Sequence, residues 1–265
     1  MIDRGQLISL AGSSKNYRQL EKEYLLTLLL YTLYSRVGGD LVFKGGTALK
    51  MFYNLNRFSE DLDFSYVYPS SSKDKSREIM SVFSEVLKEV NTQYGVLKSE
   101  VRTTKGVDKF IGVNYEIRVK GPLFDDRNKQ LQNINIDFSL REDMLLKAER
   151  KYIAPIYPDI PTFSLYVMSL DEILSEKFSA IIERNKMRDV YDAYFILRHK
   201  EMNYNEQLVT EKMKMRGESF NRSLLIKKLQ SIKESEWKSE MSYLVSDLPD
   251  YLQVTKYLIE KIEPS

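Results

Sequence analysis

The sequence predicts an α+β fold, with a mixed β-sheet in a domain over residues 1–165 and an α-helical domain over residues 166–265. Two observations lead to this prediction. Strand-like and helix-like segments alternate irregularly along the first half, whereas only helical periodicity follows residue 165. Between the halves, Pro155, Pro158 and Pro161 interrupt regular structure and mark the boundary.

The elements of the first half follow from local patterns. Apolar residues at helical spacing predict helices over residues 17–36, 47–53 and 73–94. Short apolar runs and alternating segments predict strands over 41–43, 61–66, 96–104, 110–119 and 132–140, with hairpins among the later ones. In the second half, Ser169 followed three residues later by Glu172 is a capping-box signature for the start of a helix.

Composition excludes several classes of chemistry. The 265 residues include no cysteine and one histidine, His199, so disulfides, thiolate nucleophiles, His-based triads and polyhistidine zinc sites are excluded. Carboxylates, hydroxyls, lysine and arginine remain, which favours Mg²⁺ over Zn²⁺ chemistry. The apolar run Leu25–Leu33 is too short to span a bilayer and predicts a buried helix. We therefore expect a cytoplasmic protein without a membrane segment.

Three aspartates predict a metal-dependent site. On a strand, Asp61 and Asp63 share one face while the intervening Leu62 faces the other way. Asp137 has the same placement in the alternating strand 132–140, so neighbouring strands would bring three carboxylates together. Mg²⁺, or Mn²⁺ in its place, binds such oxygens together with substrate phosphates, as a metal-assisted displacement requires. Asp137 could also accept the proton of an attacking hydroxyl. The alternative to a metal site is that Asp61 and Asp63 are ordinary solvated carboxylates at the end of a strand.

A glycine turn supplies a candidate phosphate site. Gly45 and Gly46 precede a helix that begins near Thr47. Without side chains the turn allows close approach of a phosphate, and the first amides of the helix point at its oxygens. The glycine turn and the aspartates together indicate a phosphate-binding and metal-binding site more specifically than either feature does alone.

A basic segment over residues 211–233 is the candidate nucleic-acid surface. Phosphate contacts to an RNA would come from Lys212, Lys214, Lys227 and Lys228. The alternative is an ordinary solvated helix face, since the net charge of the whole chain is only +2.

Two motif blocks resemble a known family. Lys44-Gly45-Gly46-Thr47-Ala48-Leu49 and Phe58-Ser59-Glu60-Asp61-Leu62-Asp63-Phe64 resemble the AbiEii/AbiGii abortive-infection toxins, within the DNA polymerase β-like nucleotidyltransferase superfamily. The helical stretch from Glu172 to Lys177, with Arg184 and Arg188–Asp192, is similar to that family's second motif region. The resemblance spans residues 40–200.

The resemblance implies a function and a set of residue roles. It implies the toxin of a type IV toxin–antitoxin pair, which transfers a nucleotide from an NTP to an RNA, with tRNA 3′ ends the best-supported target. Asp61 and Asp63 would be metal ligands, Ser59 would lie beside the triphosphate, and Lys177 would contact phosphates. Asp189 would complete the site, with Asp192 as its competitor.

The residues themselves leave alternatives open. Lys177 could be a lysine that extends past an apolar stripe to solvent, although Lys177 and Arg184, seven residues apart, would share one helix face suited to a triphosphate. Asp189 and Asp192 could simply stabilise a helix N-terminus, and Ser59 could shape a turn. At the level of function, the alternatives are transfer to a small molecule or a protein hydroxyl, or a degenerate fold retained as a binding partner.

Overall fold

The computed structural model describes residues 1–12, 16–67, 72–106, 109–127, 129–140, 144–184, 186–199, 201 and 203–263. For residues 72, 96–106, 109–111 and 199 it describes the backbone alone. Among the described residues the chain forms two compact units. The sheet unit comprises Met1–Thr47, Glu60–Asp143 and Glu149–Val167, and the helical unit comprises Ala48–Ser59, Met144–Ala148 and Met168–Ser265.

The sheet unit contains a mixed seven-stranded sheet within its described part, which confirms the predicted α+β class. Its strands, in chain order, are β1 (Leu41–Lys44), β2 (Leu62–Tyr66), β3 (Val96–Gly106), β4 (Lys109–Val119), β5 (Gln132–Ser139), β6 (Glu149–Ile153) and β7 (Phe163–Val167). The spatial order is β3-β4-β5-β2-β1-β7-β6. The β2–β5 and β1–β7 pairs are parallel and the other four are antiparallel.

Helices cover this sheet because their apolar residues recur at helical spacing. They are α1 (Arg4–Leu10), α2 (Tyr17–Tyr34), the start of α3 (Gly45–Tyr53) and α4 (Ser72–Tyr94). The apolar run predicted as a buried helix lies in α2, where its leucines are at most 2% exposed. No helix of the described chain is long and apolar enough to cross a membrane.

Alternation along β5 separates a core face from a polar face. Ile134, Ile136 and Phe138 are buried, while Asn133, Asn135 and Asp137 are exposed. Behind the polar face, Phe138 stacks on Phe64 of β2 with ring centroids 5.2 Å apart. This aromatic packing holds β2 and β5 rigidly side by side, so the polar residues on the opposite face have fixed positions.

The helical unit, in its described part, contains helices and no strand. After the C-terminal part of α3 come α5 (Leu170–Arg184), α6 (Met187–His199), α7 (Glu206–Met215), α8 (Arg222–Gln230), α9 (Glu234–Met241) and α10 (Tyr251–Ile262). The predicted N-cap at Ser169 is present, because its Oγ accepts the amide of Glu172 at 3.3 Å. The Glu172 carboxylate instead accepts the amides of Leu145 and Leu146 and thereby attaches that segment to the unit.

Three elements were not predicted from the sequence: α1, β6 and β7. Strand β7 runs to Val167, two residues past the predicted boundary at 165. The helical unit also includes residues 48–59 and 144–148, which lie in the first half of the sequence. One boundary position in the chain cannot assign these segments to the helical unit.

Candidate active site

The candidate catalytic carboxylates lie on the polar face of the central strands. In the parallel β2–β5 pair, Asp63 is the direct register partner of Asp137. On the next strand Asn114 faces Asp137 and donates to its Oδ2 at 3.3 Å. Asp61, just before β2, accepts a hydrogen bond from Asn135 at 3.1 Å on Oδ1. The structure therefore brings Asp61, Asp63 and Asp137 onto one face of one sheet.

The expectation that the three aspartates converge on one ion stays a prediction. Among the residues that the structure describes, no group of three or more Asp, Glu or His side chains could hold a metal ion. Same-face residues two apart on a strand are separated by roughly 6–7 Å, so Asp61 lies one step from the Asp63–Asp137 pair. Two side-by-side carboxylates are nevertheless a suitable donor set for Mg²⁺, which takes its remaining ligands from phosphates and water.

Gly45 is required next to this pair for two reasons. Its φ is +76°, a left-handed conformation that strains any other residue. A Cβ on Gly45 would also lie 2.2 Å from Oδ2 of Asp63. Because α3 begins at this glycine, the first amides of the helix, including those of Gly46 and Thr47, start beside Asp63. The Thr47 hydroxyl donates to the Asp61 carbonyl at 2.5 Å and joins the turn to the aspartate segment.

Gly45→Ala is expected to reduce the nucleotide transfer that the family resemblance implies far more than it reduces stability. The left-handed φ costs about 1–2 kcal/mol, and the added methyl group must displace the Asp63 carboxylate. The matched control is Gly95→Ala, since Gly95 has the same φ of +76° with nothing within 4 Å of the added Cβ. Transfer rates at equal folded concentration compare the two variants. Equal losses in both would show that backbone strain, and not the displacement of Asp63, is responsible.

Two lysines near the carboxylates were not singled out by the sequence analysis. Lys44 is the antiparallel register partner of Asp63 and is 8% exposed. Lys22 on α2 is also buried and donates to the Asn133 carbonyl. Burial lowers the pKa of Lys22, and the nearby acids Glu60 and Asp61 partly offset that effect. The position of Lys44 directly before Gly45 was a local signal that could have identified it.

In the helical unit, Lys177 lies within a charge cluster of five residues. Its Nζ is 3.0 Å from Asp189 Oδ1 and 2.7 Å from Asp192 Oδ2. Two arginines complete the cluster, whose members are Arg57, Lys177, Arg184, Asp189 and Asp192. Both aspartate side chains are 0% exposed, whereas the Arg184 side chain is 50% exposed.

These contacts bear on the alternatives considered for the helical residues. Lys177, with 11% of its side chain exposed, ends in an ion pair and does not extend along the surface to solvent. Asp189, in the first turn of α6, is a buried partner of Lys177 and Arg184 as well as a helix N-terminal acid. Asp192 is paired just as closely with Lys177, so both aspartates stand beside that ammonium.

The electrostatics favour the charged forms of Asp189, Asp192 and Lys177. Burial alone would raise the pKa of Asp189, but Lys177 and Arg184 outweigh it and lower that pKa to about 2. Burial likewise opposes ionisation of Asp192, yet Arg57 and Lys177 lower its pKa. Burial alone would lower the pKa of Lys177, and the two aspartates raise it. Such carboxylates are poor proton acceptors, so they hold and orient cations.

Arg57 is the cluster member that the sequence analysis missed. Its Nε and Nη2 donate to the two oxygens of Asp192 at 2.6 and 2.8 Å. The residue directly precedes the Phe58–Phe64 motif block, which was the available signal. Ser59, also in the helical unit and half-buried, follows two residues later.

The prediction that Lys212 contacts RNA is wrong. Its side chain is 1% exposed and its Nζ lies 2.8 Å from Glu172 Oε1, so it faces the interior of the helical unit. The apolar residues around it on α7, Leu208, Val209 and Met213, are buried as well. Lys214 and Lys227 are exposed, and Lys228 is partly exposed.

Known proteins resemble this chain in sequence and in fold. The family model described as "Nucleotidyl transferase AbiEii toxin, Type IV TA system" matches residues 28–260. A search of curated proteins found no match. Among solved structures, MenT4, a nucleotidyltransferase toxin from Mycobacterium tuberculosis, is 20% identical with a TM-score of 0.64, covering 99% of this chain and 89% of that one.

Two Helicobacter pylori structures show the same fold. JHP933 is 19% identical with a TM-score of 0.55, covering 92% of this chain and 90% of that one. A putative nucleotidyltransferase is 18% identical with a TM-score of 0.55, covering 92% and 93%. The family model spans most of the sequence and includes both motif blocks. The chain therefore belongs to the AbiEii family, the nucleotidyltransferase toxins of type IV toxin–antitoxin systems.

Proposed function

We propose that this nucleotidyltransferase transfers a nucleotide from an NTP to the 3′ end of an RNA, with tRNA as the acceptor. The observation that carries the proposal is the in-register Asp63–Asp137 pair beside the Gly45 turn. A family of toxins of this type implies an NTP substrate and a cognate antitoxin. NTPs and tRNA occur together in the cytoplasm, where the toxin would act.

The carboxylates would hold the catalytic cation. Asp61, Asp63 and Asp137 are the proposed ligands of Mg²⁺ or Mn²⁺, and two of them suffice when phosphate oxygens complete the coordination. The cation would supply neutralisation of the charge that develops on the reacting phosphate. Asp137, the most exposed of the three, accepts the proton of the attacking RNA hydroxyl in this proposal. The hydroxyl oxygen bonds to the α-phosphorus and pyrophosphate leaves.

Each of the two units contains residues that are proposed nucleotide contacts. Gly45, Gly46 and Thr47 offer backbone amides at the start of α3. Ser59, Lys177 and Arg184 offer a hydroxyl and two cations for the triphosphate. Of the two cations Arg184 is the accessible one, since half of its side chain is exposed. Asp189, together with Asp192, completes the site by holding the Lys177 ammonium in place.

Incubation of the purified protein with total RNA, Mg²⁺ and each of four α-labelled NTPs tests the proposal. The expected result is label in RNA of tRNA size, released by treatment that removes the 3′-terminal nucleotide. Label in protein or in small molecules would favour the alternative acceptors instead. No transfer from any NTP, with folded protein and Mg²⁺ or Mn²⁺ present, would overturn the proposal.

The remaining basic residues of α7 and α8 are the proposed RNA contacts. Replacing Lys214, Lys227 and Lys228 with glutamine should weaken RNA binding and leave NTP binding unchanged. Adjacent Lys227 and Lys228 point in different directions on α8, so two lost contacts are expected. The slope of log affinity against log salt should therefore fall in magnitude by about 1.4–1.8.

The control for this measurement replaces Lys238 and Lys256, which are exposed on α9 and α10. That double variant should keep the wild-type slope. If both variants flatten the slope equally, the effect is one of net charge. If neither does, α7 and α8 are solvated faces and the acceptor binds elsewhere.

A further inference from the structure

Arg57 makes more buried polar contacts than a simple ion pair requires. Its guanidinium forms a two-point bond to Asp192, with side chains 5% and 0% exposed. The remaining terminal nitrogen, Nη1, donates to the carbonyl of Phe58 at 2.6 Å. Because the guanidinium is planar and rigid, these bonds fix the Phe58 carbonyl relative to Asp192.

The segment around Arg57 is fixed at several points within the helical unit. The Phe58 amide donates to the Leu244 carbonyl at 2.8 Å, so both backbone polar groups of Phe58 are held. The Tyr191 hydroxyl donates to the Asn56 carbonyl at 3.3 Å. The next residue after Phe58 is Ser59, and its peptide plane is the one that the Phe58 carbonyl belongs to. The orientation of Ser59 therefore depends on Arg57.

Asp192 transmits the same constraint to Lys177. One carboxylate accepts from Arg57 and from Lys177, whose Nζ lies 2.7 Å away. A carboxylate shared by two cations cannot rotate toward one without losing the other. Loss of the two-point bond from Arg57 would allow the Asp192 carboxylate to rotate toward Lys177 and would shift the Lys177 ammonium.

A purely structural ion pair is the competing explanation, and the same unit contains one. Glu172 and Lys212 pair at 2.8 Å with side chains 0% and 1% exposed. Lys212 also lies 3.6 Å from Glu176, and Glu172 also accepts the amides of Leu145 and Leu146, so the pair joins α7 and the 144–148 segment to α5. Arg57, in contrast, is bonded at one end to the residue before Ser59 and at the other to the partner of Lys177.

We infer that Arg57 is a positioning residue for the nucleotide, one that sets Ser59 through the Phe58 carbonyl and Lys177 through Asp192. The inference rests on the proposed function, in which Ser59 and Lys177 contact the triphosphate. Arg57 itself touches neither substrate nor metal in this assignment. Its role is to hold Ser59 and Lys177 in the positions from which they contact the triphosphate. Replacement of Arg57 should therefore weaken nucleotide binding and leave RNA binding unchanged.

Arg57→Gln should raise the KM for the NTP and lower kcat/KM by about 100-fold, the scale of a misplacement of about 1 Å. Arg57→Lys should lower kcat/KM by only about 10-fold. The lysine ammonium can bond Asp192 but cannot reach Asp192 and the Phe58 carbonyl together. RNA affinity should stay at the wild-type value in both variants. The matched control is Glu172→Gln, which removes one charge from the structural pair and should lower the melting temperature without changing the KM for the NTP.

Rates and calorimetric NTP binding, both at equal folded concentration, decide the outcome. Wild-type KM in folded Arg57→Gln would overturn the inference and leave the proposed function standing. An equal rise in KM in Glu172→Gln would also overturn it, because general loosening of the unit would then be the cause. If Arg57→Gln fails to fold, Arg57→Lys carries the test, and a wild-type KM in that variant counts against the inference. A wild-type protein that binds no NTP removes both proposals together.

Discussion

Asp63→Asn is expected to reduce nucleotide transfer by at least about 100-fold while the sheet unit stays folded. The variant keeps the size and shape of the side chain and removes its charge. Asp63 is a proposed ligand of the cation that neutralises charge on the reacting phosphate, and the loss of one such electrostatic contribution typically costs a factor of about 10²–10³ in kcat. The fold should tolerate the change, since Asp63 faces Asp137 across the parallel β2–β5 pair and neutralising one carboxylate relieves their repulsion. Asp61→Asn should act in the same direction.

The control for this variant is Glu116→Gln on β4. Glu116 pairs with Asn135, so it lies on the same polar sheet face, on the strand next to that of Asp137. Its neutralisation changes the net charge equally, and transfer should remain at the wild-type rate. Label transfer and melting temperature are measured for both variants. Wild-type-like transfer by Asp63→Asn at equal folded concentration would remove Asp63 from the site.

The sheet and its carboxylates were predictable because their signals are local. Strict alternation in β5 separated Ile134 and Ile136 from Asn135 and Asp137, and the structure shows the same two faces. Strand β2 was predicted to within one residue, over 61–66 as against Leu62–Tyr66. The prediction that the aspartates lie together required β2 and β5 to be neighbouring strands. The structure shows that they pair in parallel, with four in-register residue pairs. A period-two pattern fixes the face of a side chain, and pairing then fixes its neighbours.

Strand β6 escaped prediction because none of its residues is buried, and β7 because its alternating pattern covers only five residues. In β6 all five residues are exposed or half-buried, and the strand lies at the sheet edge, where one side has no partner to select an apolar pattern. The prolines between the two strands also suggested a connection without regular structure. Only pairing with β1 makes β7 part of the sheet, and that contact is not local in sequence.

Lys212 and Arg57 show why charged residues are harder to place than apolar ones. Lys212 looked like one member of a basic helix face, yet it is buried because Glu172, forty residues earlier, neutralises it. Arg57 and Asp192 are 135 residues apart, and nothing in either local pattern indicates the pair. A buried charge is stable only with its partner, so its location depends on the tertiary structure. Family resemblance identified Lys177 and Asp189 as candidates, but their mutual contact required the fold.

Lys177→Met is expected to weaken NTP binding by about 10–100-fold, the equivalent of about 1.5–3 kcal/mol for one charge-assisted contact. It should also destabilise the protein, since the structure shows that Nζ pairs with both Asp189 and Asp192. Removing one partner from a buried pair typically costs about 3–5 kcal/mol. Binding must therefore be measured calorimetrically at a temperature where circular dichroism shows the variant to be folded.

Lys212→Met separates the two effects of Lys177→Met. Lys212 is also a buried lysine of the helical unit, paired with Glu172, and its loss should lower the melting temperature by a similar amount. It forms ion pairs with Glu172 and Glu176, neither of which is a member of the charge cluster, so NTP affinity per folded molecule should not change. A second comparison, Lys177→Arg, keeps the charge and should retain more affinity than Lys177→Met. If Lys177→Met and Lys212→Met lose stability alike and both keep wild-type NTP affinity, Lys177 holds α5 against α6 and the triphosphate is bound by other residues.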